Sequence, residues 1–266
     1  MQMVKFKNVE ISRRVLAFVF AGLFLISAGA MVHRLFQQSL AEKATREAQT
    51  LFRDQKTDEE SGLTDPVADD LSGEELPQRE VTPAMAALQE INPDVVGWIQ
   101  IPETVVDYPI VQGPDNQYYL DRDWQRSHNR AGAIFMDYRN DPDALAEPQN
   151  HTILYGHHMR DGSMFRALVN YKEPGYLNDH PVIVIQDLYD SHAYEIFSVY
   201  VTTTDFYYIE TEFPTAMEYV LFIKGLQKKS IHPSDVVLTA HDHVLTLSTC
   251  TYEYDDARFV VHARRK

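Results

Sequence analysis

Residues 244–263 read VLTLSTCTYEYDDARFVVHA, and the fold follows from this segment more than from any other. Two runs rich in β-branched and apolar residues, 244–250 and 258–263, flank a polar connection at 251–257 that contains two adjacent aspartates. Runs of this length that are bounded by turn-forming residues are typical of β-strands. The segment therefore predicts two neighbouring strands joined by a loop.

The predicted hairpin brings together two side chains with complementary chemistry. Side chains alternate along a strand, so Thr246, Ser248 and Cys250 are expected on one face. The hairpin returns Arg258 to a position beside Cys250. A thiol at a strand end can attack a carbonyl carbon, and a nearby guanidinium can stabilise the oxyanion that develops.

Cysteine usage supports a reactive thiol. Cys250 is the only cysteine in the 266 residues, so the chain cannot form an internal disulfide. In an exported protein a single cysteine suggests a reactive thiol or a bond to another chain. The alternative is a buried cysteine that acts as a small apolar side chain.

A thiol acyl-transfer enzyme also needs an imidazole. Of 11 histidines, His157 has the most suggestive context, because Gly156 breaks the predicted strand just before it. His158 is the competing candidate. His241 and His243 offer another reading, half of a metal site with Cys250, but the usual paired spacing of zinc ligands is missing. No metal and no cofactor is predicted.

Similar short runs recur from residue 97 onward, separated by Pro, Gly, Asn and Asp. The predicted strands are residues 97–101, 105–111, 132–136, 152–155, 182–186, 194–201, 244–250 and 258–263. Eight such strands with few helices between them indicate a mostly β protein, an eight-stranded β-barrel that is closed or nearly closed. Two helices are added: one is capped at Thr82 with Pro83 as its first residue, and a longer one is inserted at 214–230.

The N-terminal third predicts an export and membrane segment. Residues 15–34 include an uncharged apolar run long enough to span a bilayer, and basic residues precede it. We expect a single-pass anchor with residues 1–14 in the cytoplasm and an extracellular catalytic domain over 81–266. The juxtamembrane spacer over 35–80 between them is predicted to comprise a polar helix over 35–55 and an acidic flexible segment over 56–80. A cleaved signal peptide is the alternative, because Ala28-Gly29-Ala30 resembles a cleavage site.

Several segments resemble the sortases, enzymes of Gram-positive bacteria that attach proteins to the cell wall. Thr246-Leu247-Ser248-Thr249-Cys250 is similar to the TLxTC box of that family, and Arg258 and the Tyr155-Gly156-His157 segment match its arginine and histidine positions. The resemblance to class B sortases covers about 81–266. It also includes residues 97–99, 108–113, 132–140 and 152–158, and the helix near Pro214.

The resemblance implies a sortase barrel and a thioacyl mechanism with Cys250, His157 and Arg258 as catalytic residues. It implies cleavage of a sorting signal of exported proteins at a Thr–Gly or Thr–Asn bond, followed by transfer to an amine of a peptidoglycan precursor. The positions that match substrate-binding residues of the class are Asn116, Leu120, Thr204, Tyr208, Ile209 and Ser248. Each also has a structural reading, as core, cap or strand residue.

Other functions fit less well. The formal charge of −15 argues against nucleic-acid binding. L,D-transpeptidases have Gly before the cysteine, where this chain has Thr249, and papain-like proteases carry the cysteine early in the domain. The non-enzymatic alternative is an exported, membrane-tethered binding module in which Cys250 is structural.

Overall fold

The computed structural model describes residues 13–61, 79–146, 150–203, 205–250 and 257–266. The chain divides into two compact units, one ending at Leu40 and one comprising Ala41–Lys266. The second unit contains all the strands among the described residues.

Eight strands close into a barrel, which confirms the predicted fold class. They are β1 (Val95–Gln100), β2 (Asp107–Gln112), β3 (Ile134–Met136), β4 (His151–Tyr155), β5 (Val182–Gln186), β6 (Ser191–Thr202), β7 (Val244–Cys250) and β8 (Arg258–Arg265). The order around the barrel is β1-β2-β3-β4-β7-β8-β6-β5. The pairs β2–β3 and β4–β7 are parallel, and the other pairs are antiparallel.

The predicted strand positions are close to the observed ones, and the third strand starts two residues later than predicted. It begins at Ile134 rather than at Gly132, because Gly132 has a φ of 62° and lies in a turn. That left-handed conformation is one that glycine adopts without steric cost. The sixth and eighth strands are longer than predicted, and they pair with each other along most of their length.

Successive side chains of β7 point alternately into the barrel and toward its outer surface. Leu245 and Leu247 join the main core, together with Ile99, Leu154 and Phe259. Burying such side chains fully is worth roughly 1.5–3 kcal/mol each. The intervening positions of β7 therefore belong to the opposite face, where the candidate site lies.

The described residues form four α-helices. They are α1 (Arg13–Ser61), α2 (Pro83–Ile91), α3 (Pro174–Asp179) and α4 (Ala216–Lys228), with 3₁₀ segments at Tyr118–Leu120 and Phe165–Lys172. The predicted start of α2 is confirmed: Thr82 caps it by accepting a hydrogen bond from the backbone N–H of Met85, and Pro83 opens it.

The inserted helix α4 covers one outer face of the barrel. Its buried residues Tyr219, Ile223 and Leu226 pack against Phe197 and Val260 of the strands. The helix begins after Thr215, whose side chain accepts a hydrogen bond from a first-turn N–H. It thereby fixes one end of the chain segment that joins β6 to α4.

Residues of α1 from Ala41 onward contribute to the core of the second unit. Ala48 is fully buried, and Phe52 stacks on Trp98 with ring centroids 4.4 Å apart. The Trp124 indole donates to the backbone carbonyl of Ala44 at 2.8 Å. The packed unit thus includes helix residues that composition alone had assigned to the spacer.

Among the described helices, α1 is long and apolar enough to cross a membrane by length and composition. A signal sequence near an N-terminus meets the same criterion. The membrane anchor and its orientation therefore stay predictions.

Candidate active site

The β7–β8 hairpin brings the predicted nucleophile and the predicted arginine together. Cys250 and Arg258 are register partners in this antiparallel pair, at the last position of β7 and the first of β8. Arg258 is half-buried and donates to the carbonyl of Ala257 at 3.2 Å. The side chain of Cys250 and the connecting residues 251–256, which include Asp255 and Asp256, lie outside the described part of the chain.

The predicted histidine follows the strand that pairs with β7 on its other side. Tyr155, at the end of β4, is the parallel partner of Ser248, and the N–H of Gly156 donates to the Ser248 carbonyl at 3.2 Å. His157 is two residues beyond Tyr155, and Cys250 is two residues beyond Ser248. The register of β4 and β7 therefore carries His157 toward Cys250.

Gly156 is needed at the point where the chain leaves β4. A Cβ at this position would lie 2.5 Å from Ile134 Cδ1 and 2.7 Å from Phe165 Cδ2. No side chain fits at such distances without displacing the core. The close packing explains why a glycine precedes His157, at the position where the sequence predicts a strand break.

A backbone carbonyl orients the ring of His157. The Nε2 atom lies 2.7 Å from the carbonyl oxygen of Leu120. A carbonyl can only accept, so Nε2 carries the hydrogen. In the neutral ring Nδ1 is then the basic nitrogen. The competing His158 instead forms an isolated β-bridge with Met164.

Five of the six residues predicted to bind substrate lie in the described structure. Leu120 is 41% exposed and borders an open cavity of about 500 Å³. The other residues that line this cavity are Asp115, Gln117, Tyr118, Asp121 and Arg122. Tyr208 and Ser248 are both buried, and their hydroxyls are hydrogen-bonded at 2.8 Å. Thr204 lies outside the described residues.

The remaining two predicted residues take part in hydrogen bonds with neighbouring loops. Asn116 donates to the carboxylate of Asp137 and accepts from the N–H of Tyr138. The Ile209 carbonyl accepts from the Arg139 guanidinium at 2.9 Å. Hydrogen bonds thus connect Asn116 to Asp137 and Ile209 to Arg139. Neither Asp137 nor Arg139 is among the site residues predicted from the sequence.

A buried chain of hydrogen bonds runs beside the site. His151 Nδ1 donates to the Glu210 carbonyl at 2.6 Å, so His151 Nε2 accepts from the Thr246 hydroxyl, also at 2.6 Å. Thr246 in turn accepts from His262 Nδ1, and His262 Nε2 accepts from the Tyr200 hydroxyl, both at 2.7 Å. One carbonyl therefore sets both ring tautomers.

The histidines of this region are held neutral. Burial lowers the pKa of His151 to about 4, and the positive charge of Arg139 adds to the effect. Burial likewise lowers the pKa of His243 to about 3, with Arg265 contributing, and its ring nitrogens bond to Thr152 and Tyr194. Within the described ranges no group of three or more His, Cys, Asp or Glu side chains is arranged to hold a metal ion.

A closed barrel in which a cysteine and an arginine are strand partners, beside a strand that leads into a histidine, is an arrangement suited to thiol-dependent acyl transfer. Residues 99–266 match the profile of the sortase family, described as a sortase domain. The chain is 42% identical over 187 residues to sortase B of Listeria monocytogenes, which is 70% of this chain and 75% of that protein. It is 40% identical over 189 residues to sortase B of Staphylococcus aureus, which is 70% of this chain and 76% of that protein.

Solved structures agree with the sequence comparison. The fold is similar to that of a Staphylococcus aureus sortase B–substrate complex, with a TM-score of 0.74 at 33% identity over 87% of this chain and 98% of that one. The chain belongs to the sortase family of cysteine transpeptidases, in its class B.

Proposed function

We propose that this sortase cleaves a C-terminal sorting signal of exported proteins at a Thr–Gly or Thr–Asn type bond and transfers the acyl group to an amine of a peptidoglycan precursor. The observation that supports this most directly is the register of three strands. Cys250 is paired with Arg258 on one side, and β4 leads into His157 on the other.

In the first step the Cys250 thiolate attacks the carbonyl carbon of the threonine residue. Arg258 donates hydrogen bonds to the carbonyl oxygen as it becomes an oxyanion. The carbon–nitrogen bond then breaks, and the His157 imidazolium gives its proton to the leaving amine. The product is a thioester between the substrate threonine and Cys250, with a neutral imidazole beside it.

In the second step the amine of the peptidoglycan precursor attacks the thioester. The neutral imidazole of His157 takes a proton from that amine, the carbon–sulfur bond breaks, and the thiolate is restored. An unperturbed cysteine has a pKa of about 8.5, so only a few per cent is thiolate at neutral pH. A histidine that exchanges one proton with the thiol and the two amines therefore suits the cycle.

The substrate peptide is proposed to lie between two segments near this centre. Asn116 and Leu120 would contact it from one side, and Thr204, Tyr208 and Ile209 from the other. Ser248 would form a hydrogen bond with the peptide from β7. Exposure of Leu120 and the open cavity beside it are consistent with this arrangement.

We further propose that α1 anchors the protein in the cell membrane through its apolar segment, as a single span. The N-terminus would then be cytoplasmic and the barrel extracellular, where exported substrates and wall precursors are found. Protease added to intact cells tests this: degradation of the barrel without loss of the N-terminal end supports it, and complete protection contradicts it.

Intact-protein mass spectrometry tests the transpeptidase proposal. The protein is incubated with a panel of sorting peptides, and an acyl adduct is expected on Cys250 and absent from Cys250→Ala. Addition of an amine acceptor should then release the adduct as an amide product. A thiol that resists a charged alkylating reagent, with no adduct from any peptide, would favour the binding-module alternative.

A further inference from the structure

A fully buried carboxylate lies where β3 ends. Asp137 directly follows β3 and accepts five hydrogen bonds. Three come from Arg139, through its backbone N–H, Nε and a terminal nitrogen, at 3.0, 2.9 and 2.8 Å. The others come from the Asn116 amide at 3.0 Å and the Tyr155 hydroxyl at 2.9 Å.

The charge state of this carboxylate is set by its partners. Burial alone would raise the pKa of Asp137, but the hydrogen bonds from Arg139, Tyr155 and Asn116 outweigh burial and lower it. The carboxylate therefore stays ionised, and the buried pair with Arg139 is bidentate. A charged pair with this many partners has little freedom to rearrange.

The outer edge of the Arg139 guanidinium extends to a different segment. It donates to the Ile209 carbonyl at 2.9 Å and to the Tyr207 hydroxyl at 3.0 Å. Both residues belong to the stretch between β6 and α4, which we call the 205–215 connection and which contains no helix or strand. The Arg139 side chain thus donates a hydrogen bond to the backbone of a segment that has no helix or strand of its own.

Asp137 is also hydrogen-bonded to Asn116, which lies on the side of the candidate site opposite the 205–215 connection. Asn116 belongs to residues 113–120, here called the 113–120 segment, which ends at Leu120. The Leu120 carbonyl is the acceptor for His157 Nε2. Through Tyr155, Asp137 also contacts the strand that leads into His157. One buried pair is therefore linked to both proposed walls of the peptide site and to the histidine strand.

We propose that Asp137 and Arg139 are positioning residues that fix the distance between the 113–120 segment and the 205–215 connection, and so set the width of the groove for the donor peptide. The inference rests on the proposed function only in taking that groove as the peptide site. Arginine is required because its planar fork bonds Asp137 with one edge and the connection with the other. A lysine ammonium has no such geometry.

Arg139→Lys tests this while keeping a positive charge beside the buried carboxylate. Arg46→Lys, at an exposed helix position, is the matched control. The first measurement is amide hydrogen exchange of peptides covering residues 205–215, which requires no activity. We expect exchange there to become about tenfold faster in Arg139→Lys, from loss of hydrogen bonds to a charged group, and unchanged in Arg46→Lys.

The second measurement is steady-state transfer with the peptide that acylates the wild-type protein. We expect the KM for this peptide to rise about tenfold in Arg139→Lys, with kcat changing less than about threefold. Tyr207→Phe removes one outer partner of Arg139 without touching the buried pair, and a smaller change of the same kind is expected. Because Tyr207→Phe leaves the buried Asp137–Arg139 pair intact, a rise in KM in this variant cannot be attributed to poor folding of Arg139→Lys.

Unchanged exchange over residues 205–215 in Arg139→Lys overturns the proposal. Faster exchange with an unchanged KM overturns it as well, and so does a fall in kcat alone. Failure of the proposed function has a different signature: the wild-type protein would give no acyl adduct with any peptide. In that case the exchange measurement alone still decides whether Arg139 holds the 205–215 connection.

Discussion

The Nε2 atom of His157 donates to the backbone carbonyl of Leu120 at 2.7 Å. A main-chain acceptor fixes both the tautomer and the orientation of the ring without adding a second ionisable group. The proton-accepting nitrogen is then Nδ1, on the other side of the ring. In the proposed active site the carbonyl would therefore have the orienting role that a carboxylate or amide side chain fills in other nucleophile–histidine pairs.

Gly132→Ala is expected to disturb this contact. A Cβ at this position would lie 2.7 Å from the Tyr119 carbonyl oxygen, 2.9 Å from that of Leu120 and 3.0 Å from His157 Cδ2. Displacement of the Leu120 carbonyl also displaces the His157 ring that donates to it. We expect the displaced ring to lower kcat about tenfold to hundredfold. Steady-state transfer of a sorting peptide measures the loss.

Gly162→Ala is the matched control for that variant. Gly162 also has a positive φ, of 94°, but a Cβ there meets nothing within 4 Å. Both variants therefore carry backbone strain, and only Gly132→Ala adds the contacts near His157. Equal kcat losses in the two variants would show that backbone strain, rather than displacement of the Leu120 carbonyl, lowers the activity.

Arg258→Lys is expected to lower kcat by about tenfold to thousandfold with little change in the free energy of unfolding. A point charge cannot reproduce the paired donors that the planar guanidinium offers to an oxyanion. Arg264→Lys is the control at the other end of β8, where Arg264 pairs with Glu195 and donates to the Val237 carbonyl. Near-normal transfer by Arg258→Lys would contradict the oxyanion role.

The hairpin and the motifs at its ends could be predicted from the sequence because their determinants are local. Alternation along 244–250 and a loop of turn-forming residues are sufficient to pair Cys250 with Arg258. The eight strands could be predicted for the same reason. Only their ends shifted, as at Gly132, where the left-handed turn is visible in the backbone and not in the composition.

The Asp137–Arg139 pair could not be predicted in this way. Its partners Asn116, Tyr155 and Ile209 are far apart in the chain, and no spacing rule relates them. The resemblance singled out residues 132–140 as a block without indicating what each side chain contacts. Only the three-dimensional arrangement shows that one carboxylate and one guanidinium connect these segments.

The packing of α1 was missed for a different reason. The buried residues Ala44 and Ala48 are small and lie in a polar stretch, so the segment lacks a hydrophobic signal of the usual strength. Ala side chains nevertheless allow a helix to approach the barrel closely. The larger side chain of Phe52 then stacks on Trp98 at the edge of that contact.

Phe52→Ala is expected to destabilise the protein by about 2 kcal/mol, because it removes the stacked ring and leaves Trp98 partly uncovered. Chemical unfolding followed by tryptophan fluorescence measures this. Thr50→Ala is the control, since Thr50 is exposed and its hydroxyl donates to the Arg46 carbonyl within the same helix. Equal stability of Phe52→Ala and wild type would mean that residues 41–56 do not support the barrel.

Three buried histidines make stability depend on pH. Burial lowers the pKa of His151 to about 4 and that of His243 to about 3, and it lowers the pKa of His262 well below the ordinary value of 6.5. In the unfolded chain these rings become protonated as the pH falls through about 6.5, whereas in the folded protein they stay neutral until the pH is much lower. Between these values the unfolded state binds more protons, so stability rises with pH.

The urea-unfolding midpoint of the purified protein is therefore expected to fall steeply as the pH is lowered from about 6.5 toward 4. A shift of the size given for His151 corresponds to about 3 kcal/mol from that residue alone. His151→Gln removes the titrating ring, so its midpoint should depend less on pH than that of the wild type. His241→Gln, at an exposed position, should keep the wild-type dependence.

If the unfolding midpoints of His151→Gln and His241→Gln depend on pH in the same way, the neutral His151 beside Thr246 does not limit acid stability. The acid sensitivity must then come from the other buried rings.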